Sequence, residues 1–231
     1  MSSLLIDPRF NGPIESANGG VTAGLLATAL TDDNGAPVTV TLRLPPPMGR
    51  ELRLAPDGDR LQLLDVDALV AEAEPSDQPP TAIRPVEFPQ AQQAESRYAG
   101  LADHPFPTCF VCGPARADGL GVRPGPLDPN EPGRVATSVT MPDDTGLSAA
   151  VLVWAALDCP GGWAIDLVGR RAVLGRMTAT VVDLPRPGER CVVTADLDRW
   201  DGRKAFSGSS LYGQDGRLLG SAAQTWIQLK G

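Results

Sequence analysis

Hydrophobic positions crowd most densely into residues 147–164, LSAAVLVWAALDCPGGWA. Over 147–158, small and apolar side chains fall on every face of a helix, a pattern that belongs inside a core. The run is too short to cross a bilayer, which takes about 20 residues. Pro160, Gly161 and Gly162 predict that the helix kinks or ends there. Asp158 stands at its far end. A carboxylate in such a helix is costly unless it is paired or used. The alternative is a carboxylate that reaches solvent at the helix C-terminus, and the residues alone leave both open.

Upstream, residues 1–17 read as irregular, with Asp7-Pro8 and Gly12-Pro13 as turn signals. Asn18 is a good N-cap for a helix over 19–30, and Gly19 and Gly20 let another backbone or a ligand approach. Asn34-Gly35 marks a turn. Residues 38–44, VTVTLRL, alternate like a strand with one buried face. After a loop at 45–49, strands are predicted at 51–54, 60–65 and 68–73, with Asp57-Gly58 as a hairpin turn. Residues 74–108 change character. They are rich in Pro, Gln, Ala and Glu and read as a surface linker holding a short helix within 90–99. Strand patterns resume at 134–141, 172–182, 190–200, 204–212 and 217–229, with Asp201-Gly202 and Asp215-Gly216 as turns.

The two halves match one another. VTVTLRLPPPMGRELRL (38–54) aligns with MTATVVDLPRPGERCVV (177–193). Thr39 falls on Thr178, Leu44-Pro45 on Leu184-Pro185 and, with one residue gapped, Gly49 on Gly188. DALVAEA (67–73) resembles GRLLGSA (216–222). Each half is a helix followed by an antiparallel meander, and a curled sheet can cover most of the circumference of an all-apolar helix. Two such sheets joined edge to edge remove exposed edges. The expected fold is α+β, a double hotdog, with an N-terminal repeat over 1–75, a linker over 76–107 and a C-terminal repeat over 108–231.

Composition narrows the function. The net charge of −8 argues against nucleic acid as a partner. No segment qualifies as a membrane span, and residues 1–6 lack the basic start and apolar length of a signal peptide. The expectation is a cytoplasmic protein whose four cysteines, Cys109, Cys112, Cys159 and Cys191, are reduced. The single histidine, His104, lies in the Pro-rich stretch HPFP. That speaks against Ser-His-Asp hydrolysis, Cys-His hydrolysis and His-rich metal sites. Cys109 and Cys112 have CxxC spacing, but only Cys159, Cys191 and His104 remain as further ligands. The reading is a structural turn, with no metal and no cofactor.

Four short motifs carry a resemblance. Asn18-Gly19-Gly20 at a helix start resembles the His-Gly-Gly of hotdog thioesterases, with Asn in place of His. Cys109-Phe-Val-Cys112-Gly113, followed by Gly119-Leu120, resembles a cysteine-glycine segment of many single-hotdog thioesterases. Leu157-Asp158 resembles the Leu-Asp of their central helix. Gly220-Ser221-Ala222-Ala223-Gln224 resembles the last strand of the acyl-CoA thioesterase II type, where a Gln helps hold the water. Together they make the chain similar to the double-hotdog acyl-CoA thioesterases across most of both halves.

The resemblance implies hydrolysis of an acyl-CoA or related acyl thioester, carried by coenzyme A or acyl carrier protein. It implies one site. The helix-start amides of Gly19 and Gly20, beside Asn18, polarise the carbonyl, Asp158 serves as base or nucleophile, and Gln224 orients the water. The pseudo-equivalent second site lacks an acid, with Ala27 at the matching position. The acyl-CoA thioesterase II type also uses a Ser or Thr on the strand after the central helix; Thr178 is a weak candidate for it, and the alternative is that Gly175 occupies that position. Arg170, Arg171, Arg203 and Lys204 are candidates for the phosphates of coenzyme A, or else a solvated face. Trp154, Trp163 and Trp226 line an acyl tunnel or simply pack the core. An apolar lining points to fatty or aryl acyl groups and so to fatty acid metabolism. Hotdog hydratases rely on a His and fit less well. The rival from another class is a non-catalytic acyl-binding or scaffold protein. A double hotdog can stand as a monomer or pair again through its sheets as a homodimer.

Overall fold

The computed structural model describes residues 2–31 and 35–230, so Asn34 of the predicted Asn34-Gly35 turn lies outside the described residues. In chain order the elements are β1 (Ser3–Leu5), α1 (Gly19–Leu30), β2 (Val38–Leu42), β3 (Glu51–Asp57), β4 (Arg60–Asp65), β5 (Ala68–Pro75), α2 (Phe88–Glu95), β6 (Gly125–Asp128), β7 (Glu131–Thr140), α3 (Ala149–Ala164), β8 (Ala172–Val181), β9 (Arg190–Asp201), β10 (Lys204–Tyr212) and β11 (Leu218–Gln228). Among the described residues, eleven strands form one antiparallel sheet in the order β1-β3-β4-β5-β2-β8-β11-β10-β9-β7-β6. No helix among them is long and apolar enough to cross a membrane.

The sequence repeat is a structural one. The halves join where β2 pairs with β8, and the aligned Thr39 and Thr178 are direct cross-strand partners there. Irregularities recur in both halves. The amides of Arg43 and Leu44 both donate to the Val70 carbonyl, and those of Val182 and Asp183 both donate to the Leu219 carbonyl. This doubled bond ends β2 at Leu42, two residues before the alternating pattern does. Gly49 and Gly188 share a left-handed conformation, with φ of 70° and 72°. The two central helices lie against each other and against the sheet; β7, β8, β9, β10 and β11 all pack on α3. This is the double hotdog.

Helix α3 departs from its predicted end. It is capped by Ser148, whose side chain accepts from the Val151 amide, and it continues through Pro160 to Ala164. A proline inside a helix displaces the carbonyls of the preceding turn and removes a donor. The donor lost is the one to the Ala156 carbonyl, and the sheet grips the two carbonyls that follow it. Ser209 Oγ donates to the Leu157 carbonyl at 2.7 Å, and Gln224 Nε2 donates to the carbonyls of Leu157 and Asp158 at 2.6 and 3.1 Å. Gly161 makes the approach feasible, since a Cβ there would lie 1.7 Å from Gln224 Oε1. With the helix extended past it, Asp158 is an interior residue, only 2% exposed. The solvent-facing alternative for this carboxylate is thereby excluded.

Two short strands escaped the pattern. β1, within the stretch expected to be irregular, pairs with β3, and β6 pairs with β7, so the two form the outer edges of the sheet. Residues 76–87 cross the face of β10 and β11 away from the helices. There the Ile83 amide donates to Ser210 Oγ and Ser221 Oγ donates to the Pro80 carbonyl. The short helix within the linker is α2, which packs on β6, β7 and β9. The chain then turns back to the crossing of α1 and α3, where Phe110 stacks edge-on against Phe10 at 4.9 Å.

Candidate active site

The site is built where the start of α1 meets the middle of α3. Asn18 caps α1, its Oδ1 accepting from the Val21 amide at 2.9 Å. This leaves its Nδ2 free to reach across, and it donates to Asp158 Oδ2 at 3.0 Å. The Gly20 amide, in the first turn where helical N–H groups have no helical partner, donates to the same oxygen at 2.9 Å. Gly20 has to be glycine for the helices to come this close, because a Cβ would lie 2.5 Å from Asp158 Cβ and 2.7 Å from the Trp154 carbonyl. The second carboxylate oxygen, Oδ1, is buried and takes no hydrogen bond from the described residues. Burial pushes the Asp158 carboxyl up to about 7. The Gly20 amide and the Asn18 side chain pull it down, and Cys109 adds to the rise.

Gln224 stands next to this pair and does not touch the carboxylate. Its Nε2 holds the backbone carbonyls of Leu157 and Asp158, and its Oε1 accepts from Ser207 Oγ at 3.1 Å. Ser207 in turn accepts from the Trp226 indole N–H at 3.2 Å. Gln224 therefore fixes the stretch of α3 that carries Asp158.

Thr178 is not brought to this site. Gln224 pairs with Met177 on β8, while Thr178 pairs with Ala223, whose side chain is exposed on the other face of the sheet. There Thr178 Oγ1 shares a 2.7 Å hydrogen bond with Thr39 Oγ1 beside a groove also lined by Arg176 and Arg199. The β8 position facing the helices opposite Gln224 is thus the fully buried Met177. Gly19, next to Gly20, packs on Leu174 and Leu42.

Arg170, Arg171, Arg203 and Lys204 are all exposed and are gathered at one end of the sheet. Arg203 donates to the Gln228 carbonyl, Gln228 pairs with Ala172, and the Leu229 amide donates to the Arg171 carbonyl. Arg170 lies over the Trp200 ring, 4.5 Å from its centroid. Gln228 follows Gln224 by four strand residues, about 13 Å along β11. Trp154, Trp163 and Trp226 are all buried.

In the other half the equivalent place is bare of such groups among the described residues. The β2–β5 register puts Pro75 opposite Val38, where the β8–β11 register puts Gln224 opposite Met177. A small cleft beside Ala27 is lined by Thr28, Ala150, Trp154, Ala179 and Val181, with no carboxylate among the described residues that line it.

A feature that sequence spacing missed lies against the same helix. Cys159 Sγ is 3.8 Å from Cys109 Sγ, and Asn18 Nδ2 faces both sulfurs, at 3.9 and 3.8 Å. His104, in the linker, uses both ring nitrogens on backbone. Nδ1 accepts from the Phe106 amide at 2.9 Å, so Nε2 carries the proton and donates to the Cys112 carbonyl at 3.1 Å. Burial lowers its proton affinity.

No family model matches the chain, and no curated protein matches its sequence. Solved structures do match in fold. A hot dog fold protein of unknown function from Alicyclobacillus acidocaldarius aligns with 99% of this chain and 93% of its own, at 13% identity and a TM-score of 0.66. The tesB protein of Mycobacterium avium subspecies paratuberculosis aligns with 99% of this chain and 92% of its own, at 16% identity and a TM-score of 0.63. Acyl-CoA thioesterase II TesB2 of Mycobacterium marinum aligns with 99% and 93%, at 11% identity and a TM-score of 0.57. What these identities share with the chain is the double-hotdog fold over its full length.

Proposed function

We propose that this chain hydrolyses an acyl-CoA or a related acyl thioester at Asp158. One observation carries the reading: a buried carboxylate sits on the first-turn amide of a helix from the other repeat, at 2.9 Å. The acyl-CoA thioesterase II among proteins of the same fold supports it.

In this reading the thioester carbonyl oxygen displaces Asp158 Oδ2 from the Gly20 amide. The N–H and the positive end of α1 then stabilise the charge that develops on that oxygen. Asp158 takes a proton from a water molecule, whose oxygen attacks the carbonyl carbon. The tetrahedral intermediate collapses, the C–S bond breaks, and the departing thiolate recovers the proton from Asp158. Asn18 orients the carboxylate, and Gln224 is a positioning residue that holds the Asp158 turn of α3. Arg170, Arg171, Arg203 and Lys204 form the basic end of the sheet toward which the coenzyme A phosphates extend.

A second reading has its own observation. Asp158 already satisfies both the Gly20 amide and Asn18, as a closed, non-catalytic acyl-binding hotdog would have it. Thiol release from acyl-CoAs of short, long and aryl acyl groups separates the two. Turnover establishes the hydrolase, and the preferred acyl group sizes its pocket. Saturable binding of acyl-CoA without thiol release establishes the binding protein.

A further inference from the structure

The three cysteines beside the site form a cluster that the proposed hydrolysis does not use. The sulfurs of Cys109, Cys112 and Cys159 all lie within 4.8 Å of one another, and all three residues are buried. Cys109 and Cys112 come from the tight turn that closes when the Gly113 amide donates to the Cys109 carbonyl at 2.8 Å. Cys159 comes from α3, fifty positions away in sequence from Cys109.

The surroundings turn N–H groups toward the sulfurs and supply no cation of their own among the described residues. The Cys109 sulfur is 3.8 Å from Asn18 Nδ2 and 3.8 Å from the Cys159 sulfur. Asn18 Nδ2 faces the sulfurs of Cys109 and Cys159. The Trp163 indole N–H is buried with no hydrogen-bond partner among the described residues, and it lies beside the Cys112 sulfur. A neutral thiol is a weak acceptor, so these N–H groups are better used once the sulfurs carry charge. Three buried thiols this close together become thiolates only with a cation among them. His104 cannot provide that charge, being held neutral with both nitrogens on backbone.

Size agrees with a metal. Zn²⁺ binds thiolates at about 2.3 Å, which sets tetrahedral S···S edges of about 3.8 Å. The Cys109–Cys159 separation is 3.8 Å. The other two edges need to close by about an ångström at most, within the reach of a cysteine χ1 adjustment. No fourth His, Cys, Asp or Glu among the described residues joins the group.

We propose that Cys109, Cys112 and Cys159 bind one Zn²⁺ as thiolates, with a water in the fourth position, and so staple the turn that follows the linker to α3. On binding, each thiol releases its proton to solvent and each sulfur gives an electron pair to the ion; nothing is oxidised or reduced. The CxxC spacing looked like a bare turn because its third ligand is supplied by packing.

The test uses the full-length protein, purified under reducing conditions and then stripped with a chelator. Titration with Co²⁺ should give thiolate-to-cobalt charge-transfer absorption saturating at one equivalent per chain, and Zn²⁺ should displace it. Elemental analysis of protein not exposed to chelator should give one zinc per chain. Cys191→Ser should keep both signals and Cys159→Ser should lose them. Because the wild-type cobalt spectrum reports ligation directly, a variant that fails to fold does not blunt the test. No charge-transfer band at saturating Co²⁺ would overturn the proposal. A chain lighter by two hydrogens, with a Cys109–Cys159 disulfide and no metal in protein handled anaerobically, would also overturn it. Neither result touches the hydrolase reading, which is read by thiol release.

Discussion

The Gly20 amide donates to Asp158 Oδ2 at 2.9 Å, although the two residues lie 138 positions apart on helices of different repeats. The bond exists because Gly20 has no side chain at the helix crossing. Gly20→Ala puts a methyl group 2.5 Å from Asp158 Cβ and 2.7 Å from the Trp154 carbonyl. Both contacts are with parts that cannot swing away, so the helices must separate. The expected cost is about 1–3 kcal/mol, read by urea unfolding, together with loss of thioester turnover. An unchanged midpoint would mean that the crossing is looser than described.

Gln224 and Thr178 make opposite predictions, because β-strand register puts them on opposite faces. Thr178→Val removes a hydroxyl pair with Thr39 on the face away from Asp158. It should cost about 0.5–1.5 kcal/mol in stability and leave turnover unchanged. Gln224→Leu removes the donors to the Leu157 and Asp158 carbonyls. It should cost about 1–3 kcal/mol and lower kcat as well, since the turn that carries the carboxylate is released. Turnover lost in Thr178→Val and kept in Gln224→Leu would reverse the assignment of faces.

Much of this arrangement was legible in the sequence. The Asn18 cap and its two glycines set the bounds of α1, and the Asp-Gly pairs marked the hairpins, because both depend on local backbone chemistry. The repeat was legible because the same irregularities recur in each half. The path of α3 past Pro160 was not, since the strands that pack on it and grip its Leu157 and Asp158 carbonyls lie far along the chain. β1 and β6 are short edge strands with no alternating pattern to reveal them. The face of Thr178 follows from its pairing with Ala223, and the third thiol, Cys159, from the packing of α3 on the turn after the linker. These are consequences of long-range register, which a linear pattern does not contain.

Arg217 ties the loop after β8 to the turn before β11 through three carboxylates. It meets Glu189 at 2.6 and 2.8 Å, Asp183 at 2.8 Å and Asp215 at 3.0 Å. The Arg217 guanidinium holds the Glu189 carboxyl below its ordinary value. The Leu184 amide and then Arg217 do the same for Asp183, and the Arg217 amide and side chain for Asp215. Depressed carboxylates contribute stability that is present above their unfolded values and lost as pH falls through the folded ones. The contribution should therefore be full at pH 7 and fade below about pH 4. Thermal melts of wild type and Arg217→Ala should differ at neutral pH and converge in acid. A gap that stays constant with pH would contradict the assignment.

The basic end of the sheet makes a prediction about the carrier. Arg203→Ala combined with Lys204→Ala should raise KM for an acyl-CoA about tenfold, equivalent to about 1.4 kcal/mol, with kcat little changed. The same acyl group on pantetheine, which lacks the nucleotide phosphates, should show no difference between variant and wild type. Equal effects on both substrates would remove these residues from phosphate recognition.

The most direct measurement is turnover by Asp158→Asn. The substitution keeps an oxygen that can accept from Gly20 and Asn18, and it removes a charge from a buried position. The variant should fold with a Tm equal to or above that of wild type, since an unpaired buried charge is costly. Its kcat on the best acyl-CoA should fall about 100-fold or more, the usual share of a general base. A folded Asp158→Asn protein that releases thiol at the wild-type rate would contradict the account.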